Sequence, residues 1–182
     1  MGDMRRKTSF PNLRHLFSEL PLRRAMPTDP LPFDLNLARE AFETTGGLHA
    51  AATRRAAPLL TQADLTRLRD ADAAYALALQ EGRVQDAILA DDAFHRVLLD
   101  IADDPDLKVS VDLMLPRLRR MDLWLFTRKS FDTSKNTHPE TIAALEAGDV
   151  DEAVRLVMES YTHAGEELAA IVERGAAASE VN

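Results

Sequence analysis

From residue 34 onward, the chain is a succession of helix-favouring segments separated by short turns. Ala, Leu, Glu, Arg and Asp dominate this part, and no alternation of apolar and polar residues and no Asn-Gly or Asp-Gly pair indicates a strand or hairpin. The segments predicted to be helical are residues 35–57, 61–82, 84–102, 105–127, 139–147 and 151–174. Because short connections favour antiparallel neighbours, the sequence predicts an all-α antiparallel bundle of about six helices.

The ends of these segments carry the expected capping residues. Thr61, followed three residues later by Asp64, is typical of a capping box at the start of the second helix. Pro139 suits the first turn of the fifth helix, which Gly148 then ends. Pro116 lies inside the fourth segment and predicts a kink there.

The first 33 residues differ from the rest in composition and charge. They contain five prolines. Residues 1–30 carry six basic and three acidic side chains, a net charge of +3. Because the whole chain has a net charge of −8, the remaining residues carry −11. We therefore expect a basic, proline-rich extension at 1–33, a helical bundle at 34–175 and a flexible tail at 176–182. An acidic bundle does not attract nucleic acid by itself, because the phosphate backbone repels it.

Several classes of protein are disfavoured by what the sequence lacks. There is no cysteine, which excludes disulfides and thiolate metal sites and fits a reducing compartment. No apolar run is long enough to span a bilayer, and the N-terminus has no apolar signal segment. The expected location is the cytoplasm, without a membrane partner.

The pair of residues most suggestive of chemistry is Asp91 and His95. Four residues apart on a helix, they lie one turn apart on the same face, where they can hold two positions of one metal ion. His138 is the natural third donor, from another helix. An Asp/His pair at this spacing is also common as a surface ion pair, so both interpretations are open at this point.

Residues around this pair resemble the FCD domain, the C-terminal effector-binding domain of GntR-family transcriptional regulators of the FadR type. The stretch 37–43 resembles its opening helix, 91–95 its Asp-x-x-Phe-His element, and 138–153 its closing His…Gly-Asp…Ala segment. The resemblance covers most of residues 34–174. It implies a dimerising helical bundle around a pocket, in which a divalent metal meets a small organic acid.

The resemblance also implies a ligand set. Asp91, His95 and His138 would be metal ligands, and the ion would be zinc, nickel or manganese. The family pattern places a further His at position 160, where this chain has Ser160, while His163 lies three residues further on. We therefore expect His163 as the fourth ligand, or a position beside Ser160 that water or the effector fills, or a site that no longer holds metal.

Other expectations follow from the same resemblance. Arg39 would meet the effector carboxylate, or else be a surface arginine of the first helix. A winged helix-turn-helix precedes the bundle in these regulators and needs about 50 residues or more. Residues 1–33 are too few for it, so DNA is an expected partner only if such a module is supplied elsewhere.

Some residues have less specific interpretations. His49 is expected to be a packing or surface residue rather than a ligand. Trp124, Phe126, Met121 and Leu125 are expected in the core or a dimer contact. The basic cluster after Pro116 is expected on a solvated face, with the alternative that one member lines the pocket: Arg117, Arg119 and Arg120.

Three functions are compatible with these observations. The leading hypothesis is a non-enzymatic sensor that binds a small carboxylate. The alternative is a metal-dependent enzyme with a two-His-one-carboxylate site. Against it, the sequence offers no evident general base, because Asp92 points about 100° away from Asp91 on a helix. The third is a bundle without a ligand.

Overall fold

The computed structural model describes residues 34–126 and 136–179, with side chains up to residue 174. Within these ranges the chain forms α-helices and one short 3-10 turn, Ala57–Leu59, and contains no strand. The helices are α1 Leu35–Ala56, α2 Gln62–Gln80, α3 Val84–Ala102, α4 Pro105–Phe126, α5 His138–Ala147 and α6 Val150–Ser179. The predicted all-α bundle is confirmed, whereas the predictions for residues 1–33 lie outside the described ranges.

Local interactions explain where the helices begin. The Thr61 hydroxyl accepts a hydrogen bond from the Asp64 amide at 3.3 Å, and the Asp64 carboxylate accepts one from the Thr61 amide at 3.1 Å. This is the predicted capping box of α2. Asp103 adopts a left-handed conformation with φ of 47° and ends α3, and Asp104 then accepts the amides that open α4.

Two helices, α4 and α6, continue past positions where the sequence predicts a kink or an end. α4 continues through Pro116 without interruption as far as Phe126. α6 runs to Ser179, so the tail expected from residue 176 is helical in its first residues. Three alanines at 176–178 favour this extension, since alanine has the highest helix propensity, and the glycine at 175 only weakens it.

Within the described residues, the most extensive interface between two helices joins α1 and α6, which run antiparallel. Arg39 meets Glu173 near one end, and Arg54 meets Asp151 at 2.8 Å near the other. Midway, Gly46 faces Tyr161, and a Cβ on Gly46 would lie only 2.8 Å from the Tyr161 Cβ. The absence of a side chain at Gly46 therefore allows the two helices to approach closely.

α3 packs against three other helices, α1, α2 and α4. Its Phe94 and Leu98 are fully buried in a core cluster that also includes Leu65 and Leu68 of α2 and Leu145 of α5. Burial of each large apolar side chain stabilises the fold by roughly 1.5–3 kcal/mol. The residues on the buried face of α3 consequently have fixed positions.

A second core cluster is formed by α1, α4 and α6. It contains Phe42, Met121, Leu125 and Leu168, with Trp124 packed against it. The expectation of a core position is thus met for Met121 and Leu125, and Trp124 packs at the cluster's edge. No helix within the described residues is both long and apolar enough to cross a membrane.

Candidate metal centre

The structure brings Asp91, His95 and His138 together inside the bundle. The Asp91 Oδ1 lies 3.9 Å from the His95 Nε2 and 3.3 Å from the His138 Nε2, and one donor atom of each residue lies within 4.8 Å of the other two. Two ligands of a tetrahedral ion with bonds of about 2.1 Å are roughly 3.4 Å apart. The donor atoms are therefore near the spacing that one divalent ion requires.

His138 is held by three neighbouring side chains. The Phe94 ring stacks on its imidazole, with centroids 3.8 Å apart, and Asp72 lies 3.4 Å from its Nδ1. The Asn136 carbonyl accepts the His138 backbone amide at 3.0 Å, while its amide group donates to Asp72 at 2.7 Å. A carboxylate behind an imidazole fixes its orientation in metal sites, and here it leaves Nε2 facing Asp91.

Several buried nitrogens of this region lack a hydrogen-bond partner. They are both ring nitrogens of His95 and the Nε2 of His49, whereas the Nδ1 of His138, although outside hydrogen-bond geometry, faces the Asp72 carboxylate at 3.4 Å. His95 and His138 are only 3% exposed. An unsatisfied buried polar atom costs about 1–3 kcal/mol. Several such atoms in one place therefore indicate a bound partner, such as a metal ion, at this position. Neutral imidazoles with one carboxylate suit zinc, nickel or manganese, and the donor set fits such an ion.

The electrostatics of the site keep two imidazoles neutral. Burial lowers the pKa of His95 to about 4, against the opposing effect of the Asp91 carboxylate. Burial, helped by His95, lowers the pKa of His49 to about 3. For His138, burial is outweighed by the Asp72 and Asp91 carboxylates, which raise its pKa. His95 thus has a free lone pair at neutral pH, whereas the carboxylates beside His138 favour its protonated form, which competes with binding of a cation.

A further layer of charge lies beside the triad. Arg119 is 6% exposed, and its Nε donates to Asp92 at 2.5 Å. Of the three arginines expected on a solvated face, Arg119 is therefore buried. Burial is the main cause that raises the pKa of Asp92 to about 7, with Arg119 opposing it and Asp91 adding to it.

Asp122 is a site residue that the sequence interpretation missed. It lines the same cavity as Asp91, and burial, followed by Asp91 and Asp92, raises its pKa well above the usual range. The only signal in the sequence is an acid placed within the apolar stretch 121–126. The sequence offered no evident general base, and the structure adds one acidic group, Asp122, on the wall of the cavity beside Asp91.

A cavity of about 80 Å³ opens beside Asp91. Its wall comes from α1, α2, α3, α4 and α6 and includes Phe42, Tyr75, Asp122, Ser160, Tyr161 and His163. Ser160 therefore lies at the cavity, as expected for a residue near an effector. Phe126 also lines the wall, so it is a pocket residue as well as a neighbour of the core.

Two candidates lie apart from the triad. The His163 Nε2 is 3.5 Å from Glu167, and His163 is not among the donor atoms that cluster with Asp91. Arg39 is 44% exposed, pairs with Glu173 at 3.6 Å and does not line the cavity. The structure thus favours the surface interpretation of Arg39, and the ligand role of His163 stays a prediction.

His49, expected to be a packing or surface residue, is buried and lies against the site. It is 4% exposed, its ring stacks on Tyr161 with centroids 5.3 Å apart, and the His95 ring lies 4.9 Å away. The sequence placed it on α1 without indicating which helix α1 would face.

The sequence model of a known family matches this region. The family is described as the FCD domain, and the match covers residues 40–163, more than half of the chain. That range contains the Asp91, His95 and His138 cluster and the Ser160 and His163 positions of the cavity. No curated protein and no solved structure matches the chain.

Proposed function

The chain belongs to the FCD domain family, and we propose that its bundle senses a small carboxylate through a divalent metal held by Asp91, His95 and His138. The FCD domain is the effector-binding domain of GntR-family transcriptional regulators, not a typical catalytic domain. The observation that carries the proposal is the convergence of donor groups from two buried histidines, His95 and His138, on Asp91, which also lines a cavity. A regulator of this type acts in the cytoplasm and as a homodimer, which sedimentation of the purified chain would test.

The charges around the cavity explain why a metal is needed. Asp91 and Glu167 both line it, and carboxylates repel an organic acid. A bound divalent ion would neutralise Asp91 and supply an electrophilic position for the effector carboxylate. Ser160 lies on the cavity wall and can donate a hydrogen bond to the same group. Effector binding should therefore depend strictly on the metal.

The position of the site suggests how binding acts on the bundle. The ligands come from α3 and α5, and the opposite cavity wall comes from α4 and α6. An effector between them stabilises the arrangement in which these helices lie closest, which is a population shift. The coupling free energy between the effector and a DNA-reading partner is limited by the difference between the effector's binding free energies for the two arrangements.

The proposal is tested by calorimetry on the full chain, first stripped with a chelator. Zn²⁺ is titrated first, and acetate, lactate and succinate are then titrated with and without Zn²⁺, with their amides as controls. We expect heat from at least one acid only when Zn²⁺ is present. Binding of acids that is equal without metal would contradict the proposal.

A matched pair of variants locates the binding. Asp91→Asn removes the carboxylate of the cluster, whereas Asp86→Asn removes an exposed carboxylate of the same helix that pairs with Arg83. We expect Asp91→Asn to abolish Zn²⁺ binding and Asp86→Asn to leave it intact. Equal Zn²⁺ affinity in both variants would show that the ion binds elsewhere.

A further inference from the structure

We propose that His49 of α1 is an additional ligand of the same metal. This inference rests on the proposed metal site and concerns a residue outside the Asp91, His95 and His138 cluster. It gives the ion an imidazole from the first helix, where the family pattern would supply one from the last helix at Ser160.

The first support is the state of the His49 side chain. Its Nε2 is buried and has no hydrogen-bond partner, although the side chain is only 4% exposed. A buried nitrogen with a free lone pair requires an unseen partner, either a water molecule or a cation. His95, whose two nitrogens are also without partners, is its direct neighbour.

The second support is the spacing of the rings. The His49 and His95 centroids are 4.9 Å apart, and those of His95 and His138 are 5.6 Å apart. Two imidazoles bound at adjacent positions of one ion have ring centres roughly 4.5–5 Å apart, and an ion with five ligands still leaves one position for the effector carboxylate. Both pairs are near this spacing, with His95 in the middle. Because His49 is not within the 4.8 Å cluster of donor atoms, its ring must turn toward His95 to bind.

The third support is the path of α1. Gly46 lets α1 approach α6 so closely that His49, nearly one turn later, stacks on Tyr161. The Tyr161 ring also contacts His95, with centroids 5.2 Å apart. Tyr161 follows Ser160 directly, so the imidazole of His49 lies beside the segment of α6 that lacks one.

The role of the alternative histidine is limited by its own contacts. His163 pairs with Glu167 and is about one-third exposed, whereas His49 is buried beside His95. Because His49 is buried and lies beside His95, it is His49 rather than His163 that takes the place of an imidazole at Ser160.

The test is Zn²⁺ titration of the stripped full chain by calorimetry, using His49→Gln and the double variant His49→Gln, Ser160→His. Removing an outer-shell partner costs about 10–100-fold in metal affinity, so loss of a direct ligand should cost at least that much. We expect His49→Gln to bind Zn²⁺ at least tenfold more weakly. The added imidazole of the double variant should recover most of the loss.

A spectroscopic count separates coordination from packing. In the Co²⁺-loaded protein, each bound imidazole gives one strongly shifted N–H proton signal in the NMR spectrum. We expect three such signals in the unmodified chain and two in His49→Gln. Circular dichroism and melting of the metal-free variant verify its fold. His49→Phe, which keeps a ring against Tyr161, replaces His49→Gln if the latter unfolds.

The outcomes distinguish the two proposals. If the unmodified chain binds neither Zn²⁺ nor Co²⁺, the proposed metal site itself fails. If it binds both, and His49→Gln retains the affinity and all imidazole signals, only the role of His49 is refuted and a water molecule satisfies its Nε2. If His163→Gln carries the loss instead, the additional ligand is His163.

Discussion

Gly46 and Gly47 are adjacent glycines of α1 for which the structure predicts opposite effects of the same substitution. A Cβ at Gly46 would lie 2.8 Å from the Tyr161 Cβ, 3.2 Å from its Cγ and 3.3 Å from the Met158 Sδ. A Cβ at Gly47 would meet nothing within 4 Å. Both positions are helical, so both gain helix propensity when alanine replaces glycine.

The magnitudes follow from these distances. Favourable carbon contacts are about 3.5–4.0 Å, so Gly46→Ala must separate α1 and α6 by roughly 0.7 Å or more, because a Cβ cannot swing aside. Such overpacking costs about 1–3 kcal/mol, against a propensity gain of about 0.5–1 kcal/mol. We expect Gly46→Ala to lower the free energy of unfolding by roughly 1–2 kcal/mol. Gly47→Ala should raise it by about 0.5–1 kcal/mol.

Urea denaturation of the metal-free protein measures both changes at equal m-values. The corresponding melting temperatures should differ by several degrees, since 1 kcal/mol shifts the midpoint of a chain this size by about 2–4 °C. If Gly46→Ala stabilises the protein as much as Gly47→Ala, the close approach of α1 and α6 is wrong. In that case, Gly46 is not what brings His49 onto the Tyr161 ring.

The remaining predictions concern the site itself. His138→Ala should abolish the rise in melting temperature that Zn²⁺ gives the unmodified chain, because it removes a ligand; an unchanged rise in a thermal-shift titration would contradict this. Ser160→His should tighten Zn²⁺ binding and weaken carboxylate binding in calorimetry, whereas tighter binding of both would show that the effector does not use the space beside Ser160. Asp122 keeps a proton in the folded state that the unfolded chain loses above the usual Asp range, so its stabilising contribution is present at low pH and fades as the pH rises. The stability of Asp122→Asn relative to the unmodified chain should therefore increase from pH 5 to pH 8, and a difference independent of pH would refute the raised pKa.

The sequence was sufficient for features that depend on neighbouring residues. The capping box at Thr61 and the end of α5 at Gly148 require only local turn chemistry. The spacing of Asp91 and His95 on one face of a helix is likewise a consequence of 3.6 residues per turn. His138 was expected as the third donor from another helix, but its distance from Asp91 is a tertiary property of α3 and α5 that residue spacing does not give.

The surroundings that the sequence did not predict are those of residues whose neighbours depend on which helices pack together. Arg119 belongs to a basic cluster in the sequence, yet it is buried because α4 turns it toward Asp92. Asp122 becomes a cavity residue only when α4 packs beside α3. His49 is one polar residue among alanines, and nothing local indicates that its neighbours will be Tyr161 and His95. Periodicity identifies a face, but not the partner of that face.

α1 runs antiparallel to α6 and approaches it closely at Gly46, so a tilt of α1 about Gly46 would move the start of the helix. Twelve residues separate Gly46 from the cap residue Asp34, a distance of about 18 Å along a helix. Over that length, a tilt of only 3° about Gly46 displaces the Asp34 end by roughly 1 Å. If α1 moves as a rigid rod about the close contact at Gly46, a small change at the level of His49 becomes a larger displacement where the helix begins. Such a movement would have to shift Ala38 and Phe42, which are buried on the same half of α1, so a change at the site would be felt along the whole contact of α1 with its neighbours.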